Sequence, residues 1–381
     1  MANSKLSEAQ KAKNDEFYTQ YSDIEREISA YLEFDPDVFR GKIVLLPCDD
    51  PEWSNFTKYF AQNFERFGLK KLISTSYAAE SKKYKSGYQP TLFETSDPQF
   101  DKIKTAKNGK IFTLSNDKTG DHKVNVDDLE WHYLTGDGDF RSDEIIKLRD
   151  ESDIIITNPP FSLFREFLAW IVEAEKRFVV IGNINAITYK EVFPLIKNNK
   201  MWTGIRFNKR VNGKNMTFLV PDDYNLSGTE VELNSDGKKM ISVAGTGWFT
   251  NLEHGRRHQP LPLMTMADNL KFSKHKEIKG KKSYDVYDNY DAIEIPFTDS
   301  IPSDYDGAMG VPISFLDKYS PEQFEILGIT DRDNNSGLKT REYTEEDVPN
   351  PGDLNRRGVI KIGNEYKSTY ARLLIRRKQK K

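Results

Sequence analysis

The fold is decided by the stretch DIIITNPPF, which occupies residues 153–161. Its apolar part, Ile154–Ile156, is typical of a buried strand, and the segment that begins at Ser162 has the apolar spacing of an amphipathic helix. The tetrapeptide Asn158-Pro159-Pro160-Phe161 therefore follows the carboxyl end of a strand. This is the place where α/β sheets bind their ligands.

The tetrapeptide resembles the catalytic motif of enzymes that methylate exocyclic amino groups with S-adenosylmethionine. An aromatic amine is a poor nucleophile because its lone pair is delocalised into the ring. The side-chain oxygen of Asn158 and the carbonyl of Pro159 can accept hydrogen bonds from the NH2 group and favour a pyramidal nitrogen. Pro160 helps to stiffen the turn, and Phe161 can stack on the base. Positioning and matched dipoles would then supply the catalysis. The structural alternative is an ordinary Pro-Pro turn.

Length and composition predict a globular chain with a sizeable core. The 381 residues suffice for about two domains, and 37% of them are hydrophobic. There is no apolar run of about 18 residues and no apolar signal core after Met1, so we expect a cytoplasmic protein. The single cysteine, Cys48, excludes internal disulfides and a cysteine-based zinc site. The histidines show no metal-ligand spacing, so no metal is expected.

Charge is distributed unevenly along the chain. The net charge is only −3, but residues 356–381 contain ten Lys/Arg and a single acid, Glu365. This basic end predicts a phosphate-binding face. A solvated tail that only aids solubility is the alternative.

The pattern before the tetrapeptide indicates a β-α-β unit. We predict a helix over residues 14–33, a strand over Ile43–Leu46 and a strand over 71–75. Between the strands, Asp50 is predicted to cap a helix with Pro51 in its first turn, and Gly68 to end it. Residues 78–125 are predicted to be a polar insertion with a hairpin near 111–114.

The remaining strands are predicted over 131–134, ending in the loop 136–140, then over 178–183, 203–207, 216–220 and 244–251, the last three with antiparallel character at the edge of the sheet. The turn after the first strand, the loop 136–140, the tetrapeptide and residues 248–252 are predicted to converge on one edge of the sheet. The helix after the tetrapeptide is predicted to bury Phe164, Phe167, Leu168, Ile171 and Val172. After residue 262 the chain has short strands and turn signals such as 334–337.

At this point the chain resembles the EcoRI-type family of adenine-specific DNA methyltransferases, from about Asn14 to the C-terminus. The resemblance is carried by the motifs NDEFYT (14–19), LLPCDDPEWSNF (45–56), GDGDF (136–140), TNPPF (157–161), GWFTNLEHGRR (247–257), GVPISFLDKYSPEQFEILG (310–328) and RLLIRRK (372–378). It implies a Rossmann-like α/β sheet, S-adenosylmethionine as cofactor, and N6 of a flipped adenine in double-stranded DNA as acceptor.

The resemblance also implies roles for individual residues. Those expected at the catalytic centre are Asn158, Pro159, Pro160 and Phe161. Those expected at the cofactor are Phe17, Tyr18, Pro47, Cys48, Asp49, Asp50, Asp137, Asp139 and Phe140, with Asp137 favoured over Asp139 as the acceptor for the cofactor adenine. Those expected at DNA are Phe249, on the far side of the flipped base, and the phosphate contacts Arg256, Arg257, Arg372, Arg376, Arg377 and Lys378.

Two features of the turn after the first strand depart from common patterns. Methyltransferase folds usually have glycines there, whereas this chain has CDDPEW at 48–53. Pro47-Cys48 also resembles the nucleophile of cytosine-C5 methyltransferases, although here it occupies the cofactor position. The tetrapeptide is also compatible with an amino-methyltransferase acting on RNA or protein, and with an inactive methyltransferase fold that binds DNA.

The sequence therefore predicts a methyltransferase domain over residues 1–258 and a target-recognition region over 259–381, with the insertion 78–125 completing a cleft for the duplex. We expect a monomeric modification methylase that works within a restriction-modification system or as an orphan or phage enzyme. A cognate restriction endonuclease would act on the same site without direct contact.

Overall fold

The computed structural model describes residues 18–49, 54–78, 97–207, 216–220, 231–234, 237–331 and 335–379. The α-helices in these ranges are α1 (Tyr21–Phe34), α2 (Asn55–Gln62), α3 (Phe64–Phe67), α4 (Lys102–Lys107), α5 (Asp143–Glu151), α6 (Phe164–Glu173), α7 (Phe193–Lys197) and α8 (Met266–Phe272). Among the described residues, no helix is both long and apolar enough to cross a membrane.

The strands are β1 (Tyr18–Thr19), β2 (Ile43–Leu46), β3 (Lys71–Ser76), β4 (Lys110–Leu114), β5 (Glu130–Tyr133), β6 (Ile154–Thr157), β7 (Arg177–Asn183), β8 (Trp202–Phe207), β9 (Thr217–Leu219), β10 (Val231–Leu233), β11 (Lys239–Ser242), β12 (Thr246–Thr250), β13 (Ile293–Glu294), β14 (Met309–Pro312), β15 (Phe324–Ile329), β16 (Val359–Ile362), β17 (Glu365–Ser368) and β18 (Arg372–Arg377). The chain forms two compact units, one of Met1–Ile184 with Gly204–His254 and one of Asn185–Thr203 with Gly255–Lys381.

An eight-stranded sheet with the order β5-β4-β3-β2-β6-β7-β12-β8 is the centre of the first unit. Its middle strands β3, β2, β6 and β7 are parallel. Every residue of β2 and β6 is buried, as expected where helices cover both faces of parallel strands. The chain passes from β2 outward to β3, and later from β6 outward to β7 in the opposite direction. The strand order therefore reverses between β2 and β6, and such a switch point forms a ligand crevice.

Helices cover both faces of the sheet. On one face, Ile24 of α1 and Phe60 of α2 belong to a core cluster with Val44 of β2 and Ile156 of β6. On the other face α6 lies so close that a Cβ on Gly182 would come within 2.4 Å of the Phe164 ring. Two helical layers around a largely parallel core are the doubly wound, Rossmann-like architecture, which confirms the predicted fold class.

The start of the chain confirms part of the prediction and corrects the rest. The predicted apolar face of the first helix is buried at Ile24, Ile28 and Tyr31, but the helix begins at Tyr21. The residues 14–17 lie outside the described residues, as do Asp50 and Pro51. Helix α2 begins at Asn55 with Ser54 as its N-cap, whose hydroxyl accepts a hydrogen bond from the Phe56 N–H at 3.0 Å.

Two predicted segments belong elsewhere in the fold. The described part of the predicted insertion contains β4, which is a strand of the main sheet and pairs antiparallel with β3 and β5. The predicted strand over 216–220 does not join that sheet. As β9 it lies in a second sheet of order β1-β9-β11-β10.

The second unit contains a four-stranded sheet with the order β13-β14-β18-β15. In its inner strand β18, Leu373, Leu374 and Ile375 are fully buried. Residues 372–377 of the basic end are therefore part of a folded sheet, and the alternative of a solvated tail does not hold for this strand. The predicted turn is present at Ser336 and Gly337, with φ of 58° and 73°, while Asn334 lies outside the described residues.

Residues 185–203 pack within the second unit. Helix α7 lies against β15, and the Thr203 hydroxyl donates a hydrogen bond to the Leu316 carbonyl at 3.1 Å. The Arg257 guanidinium lies over the Trp202 ring, 3.8 Å from its centroid. This early segment of the chain is thus built into a unit whose other residues come after position 254.

Candidate active site

Four loops meet at one edge of the main sheet. Strands β2, β3 and β6 are parallel, so their carboxyl ends share that edge. Two successive antiparallel pairings, β3 with β4 and β4 with β5, return β5 to the same direction. The Thr157 hydroxyl donates to the Pro47 carbonyl at 2.7 Å, and the Ala78 N–H donates to the Asp137 carbonyl at 2.8 Å. The loops after β2, β5 and β6 therefore meet at one edge as the sequence predicts, and the loop after β3 lies there with them.

The turn after β2 takes a backbone conformation that usually requires glycine. Cys48 has φ of 63°, in the left-handed region. The next residue, Asp49, donates its N–H to the Thr75 carbonyl at 2.6 Å, which fixes the turn against the end of β3. The turn therefore has the left-handed conformation typical of glycine, although the residue at this position is Cys48.

Asp49 is a buried carboxylate with several partners. It is 6% exposed, and it accepts hydrogen bonds from the hydroxyls of Ser54 and Thr57, the latter at 3.1 Å. The Ser74 hydroxyl donates to the Asp49 carbonyl. These bonds connect the turn to the start of α2 and to β3. Sequence reasoning missed this cluster; the only signal was the group of hydroxyl residues that follows the turn.

The acidic loop after β5 packs closely on β3. Gly138 has φ of 88°, and a Cβ there would lie 2.3 Å from the Ser76 carbonyl oxygen, so only glycine fits. Asp139 is paired with Arg141 at 2.6 Å. The hydrogen bond to Asp139 is the main reason that the pKa of Arg141 is raised. The Asp137 carboxylate is partly exposed and accepts the Asp139 N–H at 3.1 Å.

Phe140 lies in the core and not on the surface of the site. It is 1% exposed, and its ring centroid is 5.1 Å from that of Phe167 and 5.6 Å from that of Trp170. With its ring packed in this way, Phe140 has no face to offer a ligand. The expectation that it contacts the cofactor does not fit this position, and it anchors the acidic loop instead.

The tetrapeptide is a tight connection between β6 and α6. Asn158, Pro160 and Phe161 are partly exposed, whereas Pro159 is buried. The Leu163 N–H donates to the Pro160 carbonyl at 2.9 Å, and a single 3-10 turn at Phe161–Leu163 leads into the helix. The turn therefore presents Asn158 and Phe161 at the switch point.

The small sheet of the first unit contributes an aromatic residue that sequence reasoning missed. The ring of Phe218 in β9 lies edge-on to Phe161, with centroids 6.4 Å apart. Phe218 pairs with Thr19 of β1, next to the partly exposed Tyr18. The Asn55 side chain donates to the Thr19 carbonyl at 2.7 Å. Tyr18 therefore lies on a strand that is bonded to α2 and paired with the strand that carries Phe218. Phe17 lies outside the described residues.

Phe249 and the end of its strand do not occupy the predicted place. Strand β12 runs antiparallel to β7, so residues 250–252 lie at the opposite edge of the sheet. There the Asn251 side chain accepts the Phe178 N–H at 2.7 Å. Phe249 itself is fully buried and packs on Phe164 with centroids 5.5 Å apart. The prediction that its ring faces a flipped base does not fit this burial.

The arginines predicted to contact phosphate are mostly held by acids of the second unit. Arg372 donates from Nε and Nη2 to Oε1 of Glu294 at 2.9 and 2.7 Å, with only 12% of its side chain exposed. Arg257 is 6% exposed and stacks on the Trp202 ring. A phosphate role does not fit the buried Arg257 or the largely enclosed Arg372. The other pairs are Arg256 with Asp317 at 2.5 Å, Arg376 with Glu325 at 3.0 Å and Arg377 with Asp306 at 3.9 Å. Lys378 is exposed.

The switch point between β2 and β6, with Asn-Pro-Pro-Phe directly after β6, defines a Rossmann-like methyltransferase. Comparison with known proteins gives the family. The chain belongs to the family described as adenine-specific methyltransferase EcoRI, whose sequence model matches residues 5–378. No solved structure matches the chain.

Three curated relatives span most of the chain. It is 44% identical to the Type II methyltransferase M.EcoRI of Escherichia coli over 87% of this chain and 92% of that protein. It is 35% identical to M.MgeORF184P of Mycoplasma genitalium over 84% of each chain. Its identity to M.MpnI of Mycoplasma pneumoniae is 33%, over 84% of this chain and 83% of that protein.

Proposed function

We propose that this enzyme transfers a methyl group from S-adenosylmethionine to N6 of an adenine flipped out of double-stranded DNA. The observation that carries the proposal is the 2.7 Å hydrogen bond from Thr157 to Pro47. It holds the tetrapeptide, whose acceptor groups suit an amine substrate, directly beside the turn after β2, whose conformation suits the cofactor. Family membership supports the choice of adenine.

The residues at the switch point fit S-adenosylmethionine. The left-handed turn at Cys48 lets the main chain approach a ligand as a glycine turn would. Asp137 is the better acceptor for the adenosine part because Arg141 already engages Asp139. Tyr18 would flank the cofactor, and Asp49 would act by holding the turn. When bound, the cofactor supplies an electrophilic methyl group on a positively charged sulfur.

The chain's own residues orient and hold the acceptor. The Asn158 side-chain oxygen and the Pro159 carbonyl accept hydrogen bonds from the amine and direct its lone pair. Phe161 stacks on the base, and Phe218 supports that ring from its edge. Stacking contributes about 1–3 kcal/mol per base, which offsets most of the few kcal/mol that base flipping costs.

The second unit would recognise DNA. Its phosphate contacts would include the exposed Lys378 and Arg376, which is also exposed and is paired with an acid. The enzyme would act in the cytoplasm as a monomer, because hemimethylated DNA offers one strand at a time. A restriction endonuclease that cuts the same site is the expected genetic partner.

Methyl transfer from radiolabelled cofactor tests the proposal. Unmethylated genomic DNA, tRNA and a protein extract are offered in parallel, and the DNA is digested to nucleosides. We expect label in N6-methyladenosine from DNA alone. Label in tRNA or protein would overturn the DNA assignment, and failure to bind the cofactor would overturn the enzyme assignment.

A further inference from the structure

The hairpin β16–β17 is a two-stranded sheet of its own in the second unit. Its register pairs Ile362 with Glu365, so the loop is Gly363-Asn364. Gly363 has φ of 60°, which suits a two-residue turn with glycine in its first position. A lone hairpin is marginally stable in water, so its position depends on what holds its base.

Buried polar groups hold the first strand at its base. The fully buried Asn289 donates from its side chain to the Arg357 carbonyl at 2.8 Å and accepts the Val359 N–H at 2.8 Å. The Asp288 N–H donates to the Val359 carbonyl at 2.7 Å. Val359 is buried with Tyr343 and Leu354. The base of the hairpin is therefore fixed by main-chain hydrogen bonds and by packing.

An arginine clamp holds the second strand. The Arg341 guanidinium bonds Asp288 at 3.0 Å and Asp347 at 2.6 Å, and lies 4.6 Å from the centroid of the Tyr343 ring. That ring packs edge-on against Tyr366 of β17, with centroids 5.1 Å apart. These contacts fix the hairpin to the rest of the second unit, and a recognition element needs such support.

The tip of the hairpin is exposed and basic. Ile362 is 59% exposed, and Lys361, Asn364, Glu365 and Lys367 are exposed as well. Within the part of the chain that the structure describes, Lys361 and Lys367 form no ion pair, in contrast to the arginines of β18. Ile362 is thus an exposed apolar residue beside two lysines that no acid neutralises in the described part of the chain; the Lys361 ammonium lies 5.3 Å from the centroid of the Tyr366 ring.

We infer that the β16–β17 hairpin enters a groove of double-stranded DNA and determines the methylated sequence. The major groove admits a two-stranded ribbon. At the tip, Asn364 and Glu365 have the hydrogen-bonding groups that read adenine and cytosine edges, and Ile362 can contact a thymine methyl. Lys361 and Lys367 contact phosphates and set affinity. The inference rests on the proposed function, which it deepens by naming the residues that read the sequence.

Mapping N6-methyladenine across a genome tests the inference, because the map reads every methylated site at once. The wild type, the tip variant Ile362→Ala/Asn364→Ala and the lysine variant Lys361→Gln/Lys367→Gln are expressed in a host without adenine methylation. The matched controls are Phe272→Ala, which removes another exposed apolar side chain, and Lys276→Gln/Lys279→Gln, which removes two other exposed lysines. Unfolding temperature and cofactor binding verify that each variant folds.

We expect the tip variant to methylate a relaxed motif and to lose about tenfold or more in preference for the wild-type site, as one lost base contact implies. The lysine variant should keep the motif, bind all DNA more weakly and show a salt dependence of log K less steep by about 1–2. A folded tip variant with the wild-type motif and preference would overturn this inference alone. A wild type that methylates no DNA would instead overturn the proposed function.

Discussion

The Thr157 hydroxyl donates a 2.7 Å hydrogen bond to the Pro47 carbonyl, across 110 positions of sequence. Both residues are buried. The bond lies where the strand order reverses, and it joins the last residue of β6 to the first residue after β2. This bond therefore holds the turn after β2 and the tetrapeptide after β6 together.

Replacing Thr157 by Val should uncouple the two turns. The change preserves shape but leaves the Pro47 carbonyl without its donor, which costs about 1–3 kcal/mol. We expect kcat to fall about tenfold or more and the unfolding temperature to fall modestly. Steady-state kinetics with both substrates check this. Thr157→Ser, which keeps the hydroxyl, should restore most of the activity; a fully active valine variant would show that the bond is dispensable.

Asn158→Ala should abolish methyl transfer while leaving cofactor affinity intact. The variant loses the side-chain acceptor for the amine, and loss of one preorganised polar group at a reacting centre typically costs about 10²–10³ in rate. Single-turnover transfer and calorimetric cofactor binding measure the two effects separately. Loss of both together would mean that Asn158 supports the fold or the cofactor site instead.

Cys48→Gly removes the thiol but keeps the left-handed turn conformation, so it tests the thiol alone. The left-handed φ of 63° costs a side chain about 1–2 kcal/mol, whereas glycine adds about 0.5–1 kcal/mol of unfolded-state entropy. We expect stability within about 1 kcal/mol of wild type and nearly full methyl transfer, because no cysteine nucleophile is needed at nitrogen.

Cys48→Val is the matched variant, since a β-branched residue is poorly tolerated at positive φ. It should be less stable than both other proteins. If Cys48→Gly folded normally but lost transfer, the cysteine-nucleophile alternative would gain support.

Asp49→Ala should weaken cofactor binding more than the chemical step. The substitution removes the acceptor for Ser54 and Thr57 and so loosens the turn after β2, at a cost of about 1–3 kcal/mol. The Kd for the cofactor should rise, and kcat at saturating cofactor should recover. Asp49→Asn, which retains one acceptor oxygen, should lie between the alanine variant and wild type. An unchanged Kd in the alanine variant would remove Asp49 from the cofactor site.

Arg372→Met should destabilise the protein far more than Arg376→Gln. Arg372 forms a largely enclosed ion pair with Glu294, with 12% and 6% of the side chains exposed, and removal of one partner of a buried pair costs about 3–5 kcal/mol. Arg376 is half-exposed, so its loss should change stability by no more than about 0.5 kcal/mol. Denaturant unfolding of the two variants gives the comparison. Equal stabilities would contradict the assignment of Arg372 to the core.

The sequence was sufficient for features that depend on local pattern. Apolar runs predicted β2, β6 and β7, Gly68 marked the end of α3, and the tetrapeptide marked the switch point. Each of these signals lies within a few residues of the feature that it predicts. The convergence of the loops after β2, β5 and β6 also followed from strand patterns.

Features that depend on residues far apart in the sequence could not be predicted from local sequence patterns. The alternation of a strand does not reveal its direction, so β12 was expected to end at the wrong edge. The burial of Phe140 and Phe249 depends on which helix covers them. The pairing of Arg372 with Glu294 joins residues 78 positions apart. A basic composition alone could not separate this structural arginine from the exposed lysines of the hairpin.

The grouping of residues 185–203 with 255–381 has a consequence for biosynthesis. A ribosome makes this segment well before the residues against which it packs, while the strand β12, which completes the first unit, is made in between. The segment therefore lacks its packing partners, and the Trp202 ring lacks its contact with Arg257, until Arg257 and β15 have been synthesised. A protein truncated after His254 would keep this segment but lack the residues against which it packs. Separate production of the two units therefore requires breaks near residues 184 and 204 in addition to the one after His254.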